Sequence, residues 1–394
     1  MSDATVETHK STLLDGPQSN AKPDTPAIVQ VARKFGVSPI KQLGESLALR
    51  MGKPKLSSKE YYALGLFDPN ISAEHKREFI GVAANKTFNK TLTPPILAPT
   101  HSFVGNKLLY TLLLDRIGLE TSETQAVVSG FRDAGDTRML RDAEGIAAFL
   151  VQEARFPLFG KPLQGSQSTG TVRLERINGN EIVLSNGQTR DVAEFAHEVF
   201  ERYPTGYLFQ TALDPHPEMA AISGGTLGSV RVVTANDGAG PKPVYSVWKL
   251  PAPGAMSDNF WQNGSLLALL DLGNGNVKTL RRGSGLDVED LTHHPVSNAQ
   301  VVGTKVPMWQ EILDLSVKAH AVFPEFGVCG FDIAVTPNGP KILECNDGPA
   351  HGLYQHAAAR GVLNADFNPI WDNVVSHQKK RLARYKTTMK SKKG

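Results

Sequence analysis

The residues with the clearest chemical potential lie at positions 328–349, VCGFDIAVTPNGPKILECNDGP. Side chains alternate between the two faces of a β-strand, so the residues at every second position from Cys329 to Val335 are predicted to face a core. Asp332 then points to the opposite face. An Asn-Gly pair at Asn338 follows, which is typical of the turn in an antiparallel hairpin.

On the returning strand, Leu343 and Cys345 are predicted to share the core face, which leaves Glu344 and Asn346 on the face of Asp332. Two carboxylates and an amide oxygen are hard ligands, which Mg²⁺ prefers when phosphate oxygens and water complete its coordination shell. Acids on an exposed surface hairpin are the alternative interpretation. The large apolar residues in the alternate positions favour a metal site at Asp332, Glu344 and Asn346.

The register of this hairpin decides whether the two acids meet. For Asp332 to lie directly opposite Glu344, Thr336 has to pair with Pro340, which leaves a three-residue loop that ends at Gly339. Such loops commonly finish with a residue at positive φ, which glycine adopts without steric cost. We therefore predict a three-residue loop with Gly339 at positive φ.

A second candidate element is the stretch 159–170, FGKPLQGSQSTG, where a short apolar run leads to a lysine and a Gly/Ser-rich loop. Backbone N–H groups and hydroxyls of such a loop can hold phosphate oxygens. The spacing is not that of a P-loop, and Gly/Ser loops are often only turns. Its coexistence with the acidic hairpin favours phosphate binding. The residues expected to take part are Lys161, Gln164, Gly165, Ser166 and Gly170.

Two further basic residues stand out. Lys107 opens an amphipathic helical segment, NKLLYTLLLDRI, at residues 106–117, although a lone helical lysine is usually a solvated charge. Arg231 interrupts a β-branched run, GSVRVVT. An arginine in a buried strand needs an anionic partner, so we expect a phosphate or a carboxylate beside Arg231.

The composition indicates a folded protein of two or three structural units. The chain has 394 residues, 40% of them hydrophobic and 21% charged. Its two cysteines are too few for a disulfide framework and indicate a reducing compartment, so we expect the cytoplasm. No signal peptide is evident, and no apolar run approaches the roughly 18 residues of a transmembrane segment. The formal charge is +3, but eight basic residues and no acid fall among the last eighteen.

The elements that must position these residues are helices and hairpin-connected strands. Ile28, Val31, Leu43 and Leu47 recur at helical spacing, whereas residues 156–234 alternate short apolar runs with Gly-rich turns. A helix is predicted at residues 308–323. This mixture implies an α+β fold rather than a doubly wound parallel sheet.

These pieces, in this order and with a hinge strand at residues 207–213 (YLFQTAL), resemble the ATP-grasp superfamily. More narrowly, LDPHPEMAAISGGTLGSVRVVT, DNFWQNGSLLALLDLGNG, HPVSNAQVVG and CNDGPAHGLYQ resemble its sugar-transfer-associated subfamily. The resemblance covers roughly residues 40–375. It implies an ATP-grasp fold, in which two α+β lobes sandwich ATP. The family's usual N-terminal α/β unit is not evident in residues 27–91, where the spacing predicts a helical unit instead.

The expected domain organisation combines residue patterns with this resemblance. Polar composition predicts a disordered N-terminus (1–26), and apolar spacing predicts the helical N-terminal unit (27–95). The resemblance implies an N-lobe (96–206) and a C-lobe with the Mg²⁺ site (207–375), and the run of basic residues marks a basic tail (376–394). For the tail, a solvated chain end and a weak contact with an anionic surface are both open.

Roles for individual residues follow from the resemblance. The transferred phosphoryl group would face Arg231. In the hinge strand, many relatives have Glu at the position of Gln210. Lys107 and Lys161 would hold the α- and β-phosphates, and the 164–170 loop would cover the β/γ-phosphates. Backbone groups of the hinge at Gln210, Thr211 and Leu213 would meet adenine. Mg²⁺ would be bound by Asp332, Glu344 and Asn346.

The implied chemistry is an ADP-forming ligation of a carboxylate and an amine, or a related nucleophile, through an acyl phosphate. Phosphorylating a carboxylate needs no base, so catalysis depends on positioning and on positive charge from Mg²⁺, Lys161 and Arg231. In the second step His351 or His216 could accept the amine proton, although a lone histidine is more often structural.

The substrates would be a sugar acid, an amino acid or a peptide-like metabolite together with an amine. An ATP-dependent phosphotransferase and a non-catalytic nucleotide-binding scaffold linked to polysaccharide machinery are the alternatives. The sequence does not decide the substrates or the oligomeric state.

Overall fold

The computed structural model describes residues 12–13, 25–165, 168–252, 255–258 and 264–392. The chain forms two compact units: the small unit comprises residues 1–19, 122–213 and 254–261, and the large unit comprises residues 20–121, 214–253 and 262–394. This division differs from the expected boundaries near residues 95, 206 and 375. The reason is that helical residues before 121, such as Val104 and Leu114, share a core with C-terminal residues such as Phe326 and Ile333.

Helices make up the first part of the large unit, which confirms the predicted helical N-terminal region. Ser38, Ser57 and Ser72 each cap a helix by accepting a hydrogen bond from a backbone N–H of its first turn. Ser57 also forms a capping box with Glu60. The helices are α1 (Ala27–Phe35), α2 (Pro39–Met51), α3 (Ser58–Ala63), α4 (Ala73–Arg77), α5 (Val82–Leu92), α6 (His101–Val104) and α7 (Lys107–Arg116).

The small unit is a seven-stranded sheet covered by two helices. Its elements are β1 (Thr124–Val128), β2 (Met139–Leu140), α8 (Ala143–Gln152), β3 (Leu158–Pro162), β4 (Val172–Asn178), β5 (Glu181–Leu184), β6 (Thr189–Asp191), α9 (Val192–Arg202) and β7 (Tyr207–Thr211). The strand order is β2-β1-β7-β3-β4-β5-β6, and only the β1–β2 pair is parallel. The β4–β5 and β5–β6 hairpins confirm the Gly-rich turns predicted between short apolar runs in residues 156–234. Phe149, Phe195 and Phe209 lie in the core.

The large unit contains a second seven-stranded sheet, which is antiparallel throughout. Its elements are α10 (Pro217–Ser223), β8 (Ser229–Asn236), β9 (Pro241–Leu250), β10 (Leu266–Leu270), β11 (Val277–Arg282), β12 (Glu289–Leu291), α11 (Trp309–Ala321), β13 (Val328–Thr336), β14 (Gly339–Asn346), α12 (Gly352–Ala358) and α13 (Asn368–Ser391). The order is β12-β11-β10-β9-β8-β13-β14. Helix α11 confirms the helix predicted at 308–323, and the whole is the expected α+β fold.

The two ends of the chain differ from the expectations where the structure describes them. Residues 1–11 and 14–24 of the expected disordered segment lie outside the described residues. Thr12 and Leu13 are buried in the small unit, and their N–H groups donate to the Glu198 carboxylate at 3.0 and 3.2 Å. The expected basic tail is helical as far as Ser391.

In the described part of the chain, no helix has both the length and the apolar character needed to cross a bilayer.

Candidate active site

The β13–β14 hairpin pairs Asp332 directly with Glu344, as predicted. The predicted three-residue loop is wrong, because Thr336 pairs with Gly339 and leaves a two-residue turn. A β-bulge at Leu343 absorbs the one-residue difference and restores the register at the acids. Gly339 has φ = 117°, so the predicted positive φ is confirmed.

The bulge also changes which residue of β14 enters the core. Ile342 is buried with Phe331 and Ile333, and Cys345 packs against the same cluster. Leu343, which we expected in the core, is the bulged residue and is only partly buried. The polar face of β13 is unaffected, so Asp332 still points away from these apolar side chains.

Asp332 lies at the centre of a buried charged cluster with Arg231 and Lys249. Arg231 on β8 is the cross-strand neighbour of Asp332 and binds it with two hydrogen bonds, Nε to Oδ1 and Nη2 to Oδ2, the latter at 2.7 Å. Lys249 on β9 donates from Nζ to Oδ2 at 3.1 Å. The three residues are only 4–8% exposed, so water screens these charges little.

The electrostatics of this charged cluster keep the Asp332 carboxylate and the Arg231 guanidinium ionised. Burial alone would raise the pKa of Asp332, but the neighbouring charges of Arg231 and Lys249 outweigh burial and lower the pKa below its usual value. Burial lowers the pKa of Arg231, whereas Asp332 and then Glu344 raise it, and the net shift is upward. The cluster therefore carries one net positive charge beside the carboxylate of Glu344.

The fit of this face to Mg²⁺ is uneven. Glu344 and Asn346 are half-buried, and Asn346 Nδ2 donates to Glu344 Oε1 at 3.1 Å. A carboxylate has about four lone-pair positions, and three of those on Asp332 already accept hydrogen bonds. Glu344 and Asn346 thus offer hard oxygen donors that fit Mg²⁺, whereas Asp332 is first of all an ion-pair partner. No group of three His, Cys, Asp or Glu side chains suited to a metal occurs among the residues described.

Lys161 and the loop after it belong to the small unit. Lys161 lies on β3, pairs with Leu208 of β7 and is 8% exposed. Of the loop residues, Gln164 and Gly165 are exposed, whereas Ser166 lies outside the described residues.

The far end of this loop is fixed at Gly170. Its carbonyl accepts a hydrogen bond from the Tyr207 hydroxyl at 2.8 Å, and its φ is 77°. A Cβ at this position would come within 2.0 Å of the Tyr203 hydroxyl oxygen, so only glycine fits here. The loop therefore starts and ends at buried positions of the small unit.

The hinge strand uses its side chains within the small unit. Gln210 is buried, and its Nε2 donates to the Ser122 carbonyl at 3.2 Å and to Thr124 Oγ1 at 3.1 Å. Thr211 Oγ1 donates to Glu123, and the Leu213 carbonyl accepts from Arg173 Nη1 at 3.1 Å. The Gln210 amide is therefore engaged within the small unit, which is compatible with the expectation that adenine would meet backbone groups of this strand.

Lys107 is the first residue of α7 and lies in the large unit, not in the lobe of Lys161 as the expected boundaries implied. The side chain of Asn106 caps this helix by accepting from the N–H of Leu109 at 3.2 Å. Lys107 is half-buried.

The expectation that His351 accepts a proton is wrong. Its ring is fully buried, Nδ1 accepts from the Tyr245 hydroxyl at 2.7 Å and Nε2 donates to Asn89 Oδ1 at 3.1 Å. Burial and the charge of Arg231 lower the pKa of His351 to about 3. His351 is thus a neutral structural residue, and Phe88 and Trp371 pack on its ring.

His216 also has a structural place. It precedes α10, where Nδ1 faces the N–H of Glu218 at 3.4 Å, and its backbone N–H donates to the Val335 carbonyl at 2.7 Å. Lys249 is the member of the charged cluster that sequence reasoning missed. It interrupts an apolar run, VYSVWKLP, as Arg231 interrupts its own run, so the same reasoning would have found it.

A sequence model of the family described as sugar-transfer associated ATP-grasp matches residues 84–368. No functionally curated protein matches the chain. Among solved structures, the D-alanine-D-alanine ligase from Coxiella burnetii is 16% identical, with a TM-score of 0.42 over 74% of this chain and 62% of that chain. N5-carboxyaminoimidazole synthase from Aspergillus clavatus, in complex with ADP, is 13% identical, with a TM-score of 0.38 over 70% of this chain and 53% of that chain.

The ATP-grasp ligase PsnB, complexed with a minimal precursor, is 15% identical, with a TM-score of 0.37 over 71% of this chain and 62% of that chain. This chain thus spans little more than half to three fifths of the length of these proteins, and the likenesses are too distant to carry an argument about activity. The family model, in contrast, covers well over half of the chain, including the charged cluster, Lys161 and the 164–170 loop. The chain therefore belongs to the sugar-transfer associated ATP-grasp family.

Proposed function

We propose that the chain is an ATP-dependent, ADP-forming ligase that joins a carboxylate to an amine or a related nucleophile through an acyl phosphate. The observation that carries this proposal is the buried charged cluster of Arg231, Asp332 and Lys249 beside Glu344 and Asn346. Membership in the ATP-grasp family makes ATP the expected source of the phosphoryl group.

The charged cluster suits the stabilisation of a transferring phosphoryl group. Asp332 holds Arg231 through Nε and Nη2, which leaves Nη1 directed elsewhere as a donor of fixed orientation. Because the two cations are already positioned and buried, they would stabilise negative charge on phosphoryl oxygens without further reorganisation. A carboxylate substrate is itself anionic, so this step needs no base.

Mg²⁺ would be held by Glu344 and Asn346, with one remaining lone pair of Asp332, and would supply further neutralisation of phosphate charge when bound. The remaining nucleotide contacts are assigned by family membership. Lys107 and Lys161 are proposed for the phosphates, residues 164–170 for the cover over them, and the backbone at Gln210, Thr211 and Leu213 for adenine.

The second step needs a nucleophile whose proton leaves. His351 cannot take this proton, because both of its ring nitrogens are engaged in the core. We therefore assign no side chain as the base. An unprotonated amine would attack the acyl carbon, the bond from that carbon to the phosphate oxygen would break, and the departing phosphate would take the proton that the nitrogen loses. A sugar acid, an amino acid or a peptide-like metabolite is the proposed acid, and the cytoplasm, on the grounds of cysteine content, is the proposed compartment.

The test is ADP and phosphate release from ATP and Mg²⁺ across a panel of acid and amine pairs. Hydroxylamine in place of the amine should trap the acyl phosphate as a hydroxamate. ADP formation with a phosphorylated product and no free phosphate would identify a phosphotransferase instead. Absence of turnover with every pair, despite ATP binding, would favour the scaffold alternative.

Glu344→Gln is the matched site variant, because it removes the charge but keeps the shape. We expect turnover to fall by roughly 100-fold or more, as is typical when a group that stabilises transition-state charge is lost. Glu289→Gln is the control, since Glu289 is an exposed acid on β12 of the same sheet and pairs with Arg282. Equal activity of the two variants would refute the proposed site.

A further inference from the structure

Helix α2 exposes a continuous apolar stripe. Ile40, Leu43, Leu47 and Met51 are 84%, 60%, 59% and 70% exposed, respectively. Their spacing of three, four and four residues places all four on one face of the helix. Single exposed apolar residues are normal on a protein surface, but four large ones in a row mark an interaction surface.

The orientation of α2 is fixed by the polar residues on its opposite face. Gln42 is buried, and its Nε2 donates to the carbonyls of Val37 at 2.7 Å and Ile28 at 3.1 Å. Ser46 is also buried and lies 3.0 Å from the hydroxyl of Ser58. Rotating the helix to bury the apolar stripe would break these hydrogen bonds, so the exposure of the stripe is a built feature of the fold.

The charges beside the apolar stripe have one sign. Lys41, Arg50 and Lys53 are exposed, and they flank the stripe or follow its end. Glu45, the one acid in the α2 sequence, is turned inward, where its Oε2 accepts from Lys76 Nζ at 2.8 Å and from the Tyr61 hydroxyl at 2.8 Å. An apolar face bordered by exposed cations is typical of helices that lie in the interface of an anionic membrane.

We propose that α2 docks the large unit onto an anionic phospholipid surface, with the apolar stripe inserted between headgroups and Lys41, Arg50 and Lys53 in contact with lipid phosphates and carboxylates. A second copy of the chain fits this face less well. A thirteen-residue helix is about 20 Å long and about 10 Å wide, so one of its faces covers about 200 Å². This area is small beside the roughly 800 Å² per partner of a stable interface. Self-pairing would also bring the exposed cations of both copies together without an exposed acid in α2 to compensate.

The test is co-sedimentation of the full chain with vesicles. Vesicles of phosphatidylcholine alone are compared with vesicles in which about one third of the lipid is phosphatidylserine. We expect at least about 10-fold stronger binding to the anionic vesicles, weakened as salt is raised because the charges are exposed. Equal, weak sedimentation with both vesicle types would overturn the proposal.

Two variants separate the apolar and the charged contributions. Leu43→Ser with Leu47→Ser should weaken binding about 10-fold or more, and Lys41→Gln with Arg50→Gln should remove most of the preference for phosphatidylserine. All four side chains are exposed, so both variants should keep the parent melting temperature. Phe131→Ser with Val296→Ser is the control for the loss of exposed apolar residues, since these are 75% and 66% exposed, and should bind as the parent does.

Two outcomes would assign the surface otherwise. Arg384→Gln with Lys386→Gln changes exposed cations of α13; if it abolishes vesicle binding while the Leu43/Leu47 variant does not, the lipid contact belongs to α13 and the proposal fails. The second outcome would come from sedimentation velocity of the parent without lipid, which measures the oligomeric state. A dimer that the Leu43/Leu47 variant converts to monomer, together with no binding to vesicles, would show that a second copy covers α2.

Discussion

At the level of single residues, Asp332 balances two buried cations, and its removal should be costly. Asp332→Asn keeps the volume but leaves Arg231 and Lys249 without their anion. We expect the free energy of unfolding to fall by about 3–5 kcal/mol, the usual cost of leaving a buried charge unpaired. Urea unfolding at pH 7 measures this loss.

Asp290→Asn is the control for Asp332. Asp290 is an exposed acid on β12 that forms an ion pair with Arg281, and exposed pairs contribute about 0–1 kcal/mol. If the two variants lose similar amounts, the buried cluster does not stabilise the large unit in the way described.

His351 gives the large unit a defined pH dependence. The folded state keeps His351 neutral, with its pKa lowered to about 3, whereas an unfolded histidine has a pKa of about 6.5. Below about pH 6.5 the unfolded state therefore binds one more proton, so stability present at neutral pH is lost as the pH falls. This residue alone should contribute about 1.4 kcal/mol per pH unit between roughly pH 6 and pH 4.

His351→Gln tests this pH dependence. The slope of unfolding free energy against pH in that range should become smaller by about 1.4 kcal/mol per unit, whatever the variant costs at neutral pH. His197→Gln, which makes the same substitution at an exposed position on α9 of the small unit, is the control for the effect of the substitution itself. An unaltered slope in the His351 variant would mean that the ring is protonated in the folded protein or solvated.

Two of the three residues of the charged cluster, Arg231 and Asp332, could be predicted from the sequence, because the patterns that reveal them involve only neighbouring residues. Asp332 and Glu344 could be assigned to one face because strand alternation is a property of consecutive residues. His351 was misassigned because its surroundings, Asn89 of α5 and Tyr245 of β9, come from distant positions in the chain. Burial of a lone histidine is not visible without the fold.

At the level of elements, we expect the hairpin that carries Asp332 and Glu344 to tolerate deletion of the residue that forms its β-bulge. Deleting Leu343 removes the bulged residue and leaves Asp332 opposite Glu344 and Ile333 opposite Ile342. We expect the variant to fold, with a stability loss within the roughly 0.5–3 kcal/mol of ordinary single changes. Thermal unfolding followed by circular dichroism measures this.

Deleting Lys341 is the matched control, since it removes one residue from the same strand. It leaves the bulge in place but forces a one-residue slip between Ile342 and the turn, which turns side chains to the wrong face. We expect a larger loss of stability than for the Leu343 deletion. The reverse order would show that the bulge, not the register, stabilises this hairpin.

The bulge also marks the limit of prediction at this scale. Alternation correctly predicted the faces of β13, because it depends on neighbouring residues. The positive φ of Gly339 is confirmed, although the three-residue loop from which it was predicted is wrong. The two-residue turn escaped prediction because a bulge compensates for it several residues away. Local turn preferences and the pairing of distant residues must agree in the fold, and a single inserted residue is enough to reconcile them.

At the level of the whole molecule, the N-terminal helices are part of the large unit and not a separate appendage. Gln355 of α12 donates to the Ile80 carbonyl and accepts from its N–H, at 2.9 and 2.8 Å. Asn85 and Asn89 of α5 both donate to the Pro349 carbonyl, just after the hairpin of the charged cluster. The expected boundary near residue 95 therefore separates residues that contact each other within the large unit.

A chain that begins at residue 94 should therefore fail to fold cooperatively. It would lose α1–α5, expose the ring of His351 and leave Gln355 without its backbone partners. A chain that begins at Thr12 keeps all described contacts of the N-terminal region and should melt as the parent does. Calorimetry of both chains measures the difference, and a cooperative transition in the shorter chain would show that the helices are dispensable.

The interleaved order of the two units has a consequence for synthesis on the ribosome. Most of the small unit is one continuous stretch, residues 122–213, which can fold soon after it emerges. Asn89 can form its hydrogen bond to the Pro349 carbonyl only after roughly 260 more residues have been synthesised. At about 5–20 residues per second, this synthesis takes about 13–50 s. During that interval the nascent N-terminal helices lack their partners from the rest of the large unit. Chaperones that act on growing chains would therefore meet this protein first through its N-terminal helices.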